Sequence, residues 1–196
     1  MKVDLASYRQ IFKLDQKTST KMLLGFDKLK ELVRNAKLLE DLPDSELEKK
    51  GGVSFDLRLG EVHEFTGEGF LGINERKTPD TRILGKFSEE ETKKVVLEPG
   101  KYYVVKTIEK VNTPKYLAFK MIPRSTLFRS GLLLLGGLGD PGYCGEITMG
   151  LLNLNKFPFT IELGSRIANI VFHKVDGKTE EYEGKYQGGL IGTKDA

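Results

Sequence analysis

The sequence predicts a mainly β protein, a sandwich, jelly roll or distorted barrel, with one helix near its N-terminus. Several short runs have the alternating or the β-branched and aromatic composition of strands, and glycine or proline stands between them. Only one stretch has a sustained helical spacing of apolar residues. Many short strands joined by turns are typical of these all-β architectures.

The helix is expected at residues 25–40, because apolar side chains repeat there at helical spacing and would form one buried face. These side chains are Phe26, Leu29, Leu32, Val33, Ala36 and Leu39. Residues 1–22 are polar and mixed, and we expect an N-terminal extension there. A turn at Pro43 and Asp44 ends the helix, and residues 44–51 form a charged connector.

The first strand is expected at 53–59, where apolar and polar residues alternate strictly. Further strands are expected at 101–109, 116–121, 132–135, 147–154, 159–163 and 167–174. Residues 68–97 are polar, which indicates a long insertion or loop. The β domain should therefore span residues 23–183. The remaining residues, 184–196, are rich in glycine and too flexible to pack alone, and their natural mechanical role is a lid that closes over a ligand.

Composition excludes several classes of protein. The chain has 31 Lys and Arg against 28 Asp and Glu, a net charge of only +3, so it lacks the basic footprint of a nucleic-acid binder. No apolar run is long enough to cross a membrane, and the N-terminus lacks the apolar core of a signal peptide. The single Cys permits no internal disulfide, which fits a cytoplasmic protein. One Cys and two His cannot form a structural zinc site.

Residues that could carry chemistry lie between Pro123 and Asn169. An aspartate beside a phosphate-binding loop, here Asp140, can act as a general base on water, typically for about 10²–10⁴-fold in rate. By itself an Asp-Pro-Gly sequence is more typical of a turn than of a catalytic site. Upstream, Arg124 and Ser125 could form part of a triphosphate cradle, and the glycines before Asp140 would let a flat ring approach the backbone.

These segments, in this order, resemble motifs two to five of the trimeric dUTPases. The matching residues are Pro123-Arg124-Ser125, then Gly139-Asp140-x-x-Tyr143-x-Gly145, then Asn153, then Gly164-x-Arg166-Ile167-Ala168, and then the glycine-rich tail. The stretch 52–60 looks like motif one in its dCTP deaminase form. The helix before it and the tail sequence Gly184-Lys185-Tyr186-Gln187-Gly188 are also similar to the deaminase branch.

The resemblance implies a distorted jelly roll of the dUTPase type and a homotrimer whose active sites are shared between subunits. It implies a deoxynucleoside triphosphate substrate, with Mg²⁺ held by the phosphates and waters and not directly by protein ligands. Asp140 would orient a water toward the α-phosphate, and Tyr143 would pack on the deoxyribose. The other nucleotide-binding residues that it implies are Arg124, Ser125, Thr126, Arg129, Gly137, Asn169, Tyr182, Lys185, Gln187 and Gly188.

The departures from the family pattern decide between its branches. Where the deaminase branch carries its catalytic Glu, this chain has Gly150, so the expected reaction is hydrolysis of dUTP to dUMP and pyrophosphate. Two alternatives stay open. One is a dCTP deaminase that uses a shifted carboxylate such as Glu146, although four residues span about 13 Å of strand. The other is a non-catalytic, regulatory nucleotide-binding protein.

Overall fold

The computed structural model describes residues 23–192 and shows a mainly antiparallel β protein. The mainly β fold class predicted from the sequence is confirmed, since the main antiparallel sheet curls into a half-barrel. The predicted extension at 1–22 lies outside the described residues, and so does the end of the tail, 193–196. No helix within the described part of the chain is long and apolar enough to cross a membrane.

Three helices and thirteen strands make up the described chain. The helices are α1 (Phe26–Ala36), α2 (Asp44–Leu47) and α3 (Ser125–Arg129). The strands are β1 (Leu39–Glu40), β2 (Ser54–Phe65), β3 (Phe70–Leu71), β4 (Arg76–Lys77), β5 (Thr81–Lys86), β6 (Lys94–Leu97), β7 (Tyr102–Asn112), β8 (Leu117–Pro123), β9 (Leu132–Leu135), β10 (Leu138–Gly139), β11 (Cys144–Asn153), β12 (Phe159–Glu162) and β13 (Arg166–Lys174).

The long strand β2 joins the two parts of the main sheet. Its first half, from Ser54 to Arg58, pairs with β13, and its second half pairs with β7 and β5. The continuous order of the sheet is β10-β8-β13-β2-β7-β11-β9. Register shifts interrupt β2 where it changes partners, for example between Leu59 and Glu61. Such irregularities bend a strand and raise its twist, which lets the sheet curl.

The helix α1 covers the β13–β2 side of the sheet with its apolar face. Leu29 and Leu32 are fully buried, and the ring of Phe26 lies 5.1 Å from that of Phe55 on β2. Burial of one such side chain stabilises the fold by about 1.5–3 kcal/mol. The periodicity of the sequence therefore located this helix correctly, because its apolar stripe does pack on the sheet.

Helix α1 ends earlier than the predicted limit near residue 40. Lys37 adopts a left-handed conformation, with φ of 50°, and its N–H bonds to the carbonyl of Val33 at 3.2 Å. Leu39 and Glu40 then pair with β7 as a short strand. Leu39 is buried in this strand, and an apolar residue is equally expected on the buried face of a helix, so its apolar character alone did not separate helix from strand. Within the predicted connector at 44–51, Asp44–Leu47 forms the short helix α2.

The expectation of a long loop at 68–97 was wrong for much of that segment. It contains the hairpin of β3 and β4, strand β5, and strand β6. Strand β5 pairs with the end of β2, while β6 pairs with β12 in a separate two-stranded sheet. Strand β5 alternates only weakly in burial, whereas β6 alternates strictly but is only four residues long. Both stand in a segment of mainly polar composition, which concealed them.

Candidate active site

A cavity of about 450 Å³ opens between β11, the hairpin that joins β9 and β10, and the C-terminal tail. Its size lies within the range of roughly 300–1,000 Å³ that is usual for small-molecule sites. Its walls are mainly apolar and aromatic. Four of the residues predicted to act on a nucleotide line it, namely Gly137, Asp140, Tyr143 and Tyr182, and Gly150 lies in the same wall.

Asp140 presents a carboxylate to this cavity from the turn that follows β10. The side chain is exposed and forms no hydrogen bond or ion pair with another residue between 23 and 192. The turn itself is well held, because the N–H of Gly142 bonds to the carbonyl of Thr113 at 2.9 Å, and that of Tyr143 bonds to the carbonyl of Asp140 at 3.2 Å. Gly142 has a φ of 86°, which favours glycine there. A fixed backbone thus carries a carboxylate that is available to water.

Tyr143 forms a rigid wall beside Asp140. Its hydroxyl donates to the carbonyl of Glu146 at 2.6 Å, and its ring meets those of Phe119 and Tyr182 edge-on, at 6.0 and 5.6 Å between centroids. Burial, with smaller contributions from neighbouring acidic groups, raises the pKa of Tyr143 to about 12. The phenol is therefore neutral at physiological pH, and the ring serves as a packing surface.

The start of the tail lies against the cavity. Tyr186, Leu190 and Ile191 contribute to its lining. The side chain of Gln187 accepts from the N–H of Cys144 and donates to the carbonyl of Gly142, both at 2.9 Å. These contacts use Gln187 to fasten the tail beside the Asp140 turn, whereas the sequence had suggested a direct contact to nucleotide.

Several residues predicted to bind nucleotide do not line this cavity within one chain. They are Arg124, Ser125, Thr126, Arg129, Asn169, Lys185, Gln187 and Gly188. Arg129 and Lys185 are exposed, and Asn169 accepts from the hydroxyl of Ser54 at 3.4 Å. Arg124, the side chains of α3 and Asn169 on β13 thus lie outside the lining of the cavity that contains Asp140.

Arg124 takes part in a charge cluster around the buried carboxylate of Asp56. Lys49 donates to Asp56 at 2.9 Å, Arg166 lies 3.3 Å away, and Arg124 forms an ion pair with the same oxygen. Burial would raise the pKa of the Asp56 carboxyl, but the hydrogen bonds from Lys49 and Arg124 outweigh it and lower the pKa. Glu46, itself buried, accepts from the N–H of Asp56 at 2.9 Å.

Sequence reasoning missed two features of this region. Asp56 was assigned to the polar side of a strand, although it is only 4% exposed, and its alternation with Phe55 and Leu57 contained no sign of burial. The aromatic pair Phe65 and Tyr102 also lines the cavity, yet neither belongs to a recognisable motif. Both features depend on contacts between distant strands, so no local pattern could reveal them.

The described residues contain no cluster of three or more His, Cys, Asp or Glu that could hold a metal ion. Asp140 is the one carboxylate in the lining of the cavity described above. This donor set suits Mg²⁺ that arrives on substrate phosphates, because that ion keeps several waters and needs few protein ligands. His63 lies 3.0 Å from Glu61, away from the cavity lining.

A curled antiparallel sheet, with a glycine-flanked carboxylate in a cavity beside the C-terminal tail, defines a protein of the dUTPase-like class. The crystal structure of the 2'-deoxycytidine 5'-triphosphate deaminase from Agrobacterium tumefaciens has a similar fold, with a TM-score of 0.60 at 20% identity. The match covers 79% of this chain and 49% of that one. The chain belongs to the dCTP deaminase-like family, whose model matches residues 23–175.

Relatives of this chain have names from both branches of the family. The dUMP-forming dCTP deaminase of Dictyoglomus thermophilum is 32% identical over 162 residues, which are 81% of this chain and 84% of that protein. A probable deoxyuridine 5'-triphosphate nucleotidohydrolase of Methanothermobacter thermautotrophicus is 32% identical over 167 residues, 85% of this chain and 99% of that protein. The family is thus one of nucleotide enzymes, and equal similarity to both branches does not select a reaction.

Proposed function

We propose that this protein hydrolyses dUTP to dUMP and pyrophosphate. The observation that carries the proposal is the charge distribution of the cavity. Asp140 supplies a carboxylate without a partner among residues 23–192, and the position that carries the glutamate in the deaminase branch is Gly150 here, in the wall of the same cavity. Hydrolysis needs a group that orients and deprotonates water, and Asp140 suits that role. Deamination needs a proton carrier beside the pyrimidine ring, which Gly150 cannot provide.

In the proposed reaction, the carboxylate of Asp140 accepts a proton from a water molecule. The water oxygen attacks the α-phosphorus, and the bond from that phosphorus to the oxygen bridging the β-phosphate breaks. Pyrophosphate leaves with the electron pair, and dUMP remains. Tyr143 packs against the deoxyribose and so holds the α-phosphate at a fixed distance from Asp140. Mg²⁺ bound to the phosphates would neutralise their charge.

The proposal assigns the phosphate-binding role to a neighbouring subunit of a homotrimer. Arg124, Ser125, Thr126 and Arg129 do not line the cavity of their own chain. Ser125 and Arg129 are exposed on α3, where they are available to a second copy. Lys185, exposed on the tail, would add a positive charge near the phosphates of a bound nucleotide. The site would then be complete only at a subunit interface.

Deamination of dCTP is the second candidate, and the dUMP-forming relative favours it. Conversion of dCTP to dUMP releases both ammonia and pyrophosphate, so the name of that relative describes both deamination and hydrolysis. In this chain the shifted carboxylate would have to be Glu146. Its oxygens lie 3.9 Å from both Lys106 and Lys110, and the residue is not part of the cavity lining. This geometry argues against Glu146 as a proton carrier.

The decisive experiment is incubation of the protein and Mg²⁺ with dUTP and, separately, with dCTP, with pyrophosphate and ammonia measured independently. The proposal expects pyrophosphate from dUTP and no ammonia from dCTP. Ammonia from dCTP would support the deaminase instead. Binding of dUMP without release of pyrophosphate from either substrate would support the regulatory, non-catalytic alternative.

A further inference from the structure

Gly150 leaves room for one particular neighbour, the side chain of Tyr102. In the pairing of β11 with β7, Leu152 lies opposite Tyr102 and Gly150 lies opposite Val104. Tyr102 and Gly150 are therefore diagonal neighbours on one face, within reach of an aromatic side chain. A Cβ placed on Gly150 would lie 2.7 Å from Cζ of Tyr102, and still closer to its hydroxyl oxygen. Glycine is thus the one residue that tolerates this position of the tyrosine.

The ring of Tyr102 is held in that position by Phe65. The two rings are stacked, with centroids 5.9 Å apart and planes inclined by 14°. Swinging the tyrosine away from residue 150 would give up this contact. Both rings line the cavity, and the Tyr102 hydroxyl has no hydrogen-bond partner among residues 23–192. The aromatic wall therefore offers the cavity a polar group that is not used by the protein itself.

We propose that Tyr102 is a specificity-determining residue, whose hydroxyl bonds to the polar edge of the pyrimidine base and whose position requires Gly150. The inference rests on the proposed function, since it places a pyrimidine nucleotide in this cavity. A flat base is buried most favourably against the aromatic, apolar wall, and its polar edge then needs a hydrogen-bond partner. A tyrosine hydroxyl can donate or accept, so it suits a carbonyl or a ring N–H.

The same geometry links two features of the chain that are far apart in sequence. While Tyr102 occupies the space beside Gly150, no carboxylate can extend from residue 150 into the cavity. The tyrosine hydroxyl thus takes the volume that a side chain at 150 would fill. Replacement of Gly150 alone should damage the site, and simultaneous truncation of Tyr102 should remove that damage.

Calorimetric titration with dUMP tests this coupling without any need for turnover. The proteins compared are the wild type, Tyr102→Phe, Tyr102→Ala, Gly150→Ala and the double variant Gly150→Ala/Tyr102→Ala. Gly51→Ala is the matched control, because a Cβ there meets nothing within 4 Å. Thermal unfolding of each variant is measured in parallel.

Tyr102→Phe should weaken dUMP binding about three- to tenfold, the usual effect of losing one neutral hydrogen bond. Gly150→Ala should weaken it at least about tenfold in the wild-type background and no more than about twofold when Tyr102 is Ala, since the clash partner is then gone. If Gly150→Ala does not fold, recovery of the melting temperature by Tyr102→Ala tests the same coupling.

Two results would overturn the inference alone: unchanged dUMP affinity in Tyr102→Phe, or an equal cost of Gly150→Ala in both backgrounds. A wild-type protein that neither binds dUMP nor releases pyrophosphate from dUTP would instead overturn the proposed function, and the inference with it. The two failures are thus distinguishable by the wild-type titration.

Discussion

At the scale of single residues, Asp140 is the side chain on which the proposed chemistry depends. Asp140→Asn keeps the shape of the side chain but cannot accept the proton from water. We expect kcat to fall by at least about two decades with a nearly unchanged KM, which is the signature of a lost general base. Steady-state kinetics with dUTP measure this, and Asp176→Asn, another exposed aspartate, is the control. If Asp140→Asn turned over dUTP at the wild-type rate, a group other than Asp140 would be the general base.

The buried carboxylate of Asp56 makes stability depend on pH. Its pKa is lowered in the folded protein, so its contribution to stability is complete above the unfolded value near 3.8 and is lost as the pH falls through the lower, folded value. Asp56→Asn should destabilise the protein by about 3 kcal/mol at neutral pH, because the surrounding cations lose a charged partner. The difference from wild type should shrink on acidification below pH 4.

Denaturant unfolding of both proteins at pH 7 and at pH 3 measures this difference in the free energy of unfolding. Asp44→Asn, an exposed aspartate at the start of α2, serves as the control. A difference between wild type and Asp56→Asn that is the same at both pH values would show that the carboxylate does not titrate with the expected sign.

The candidate site was predictable from the sequence only where function imposes a local pattern. Asp140 and Tyr143 lie three residues apart in one glycine-flanked turn, and the structure brings both to one cavity. Asp56 lies on β2 and Arg124 directly follows β8, far away in sequence, and their ion pair arises because β13 pairs with both β2 and β8. Contacts of this kind leave no periodicity in either segment.

At the scale of elements, the tail provides a testable part of the site. Two backbone or side-chain bonds link it to the start of β11: the N–H of Gly188 to the carbonyl of Cys144 at 2.8 Å, and the N–H of Cys144 to Gln187. We expect these contacts to open readily without ligand, because the glycines of the tail lose much entropy on ordering. Bound nucleotide should hold them closed.

Hydrogen exchange of the Cys144 and Gly188 amides, measured with and without dUMP, tests that expectation. Protection should rise on binding. Deletion of residues 184–196 should impair turnover of dUTP and leave the melting temperature almost unchanged, because most of the core lies in the sheet. A large drop in melting temperature would instead identify the tail as a structural part of the β domain.

The strands that were predicted correctly from the sequence are those with several buried apolar side chains. Strand β9 was predicted with its observed limits, and β11 and β13 were located to within a few residues, because each has buried apolar side chains at regular intervals. Strand β5 was missed because only one of its six residues is buried, and β6 was missed because its two buried residues, Val95 and Leu97, belong to a run of only four residues in a mainly polar segment. Tertiary pairing decided their conformation, and a polar composition alone does not distinguish an edge strand from a loop.

At the scale of the whole molecule, the separation of Asp140 from α3 predicts complementation between subunits. Asp140→Asn and the double variant Ser125→Ala/Arg129→Ala should each be nearly inactive alone. If each site takes Asp140 from one subunit and α3 from the next, an equal mixture reassembled after mild denaturation should regain about one quarter of wild-type activity, since chance assembly restores one site in about four.

Activity of the mixture is compared with that of each variant treated in the same way, and sedimentation gives the number of subunits. Recovery of activity in a trimer would support shared sites. If the mixture forms trimers but is no more active than either variant alone, α3 of one subunit does not contribute to the site that contains Asp140 of the next subunit.

The partition of β2 between two sets of partners has a consequence for synthesis of the chain. Ser54–Arg58 acquires its strand partner only when β13, more than a hundred residues later, has emerged from the ribosome. Until then an apolar strand edge, including Phe55 and Leu57, stays unpaired and prone to association with other chains. Nascent chains that stop before Arg166 should therefore be cleaved readily by protease and bound by chaperones. Chains in which β13 has fully emerged from the ribosome, up to Lys174, should resist cleavage and should not bind chaperones.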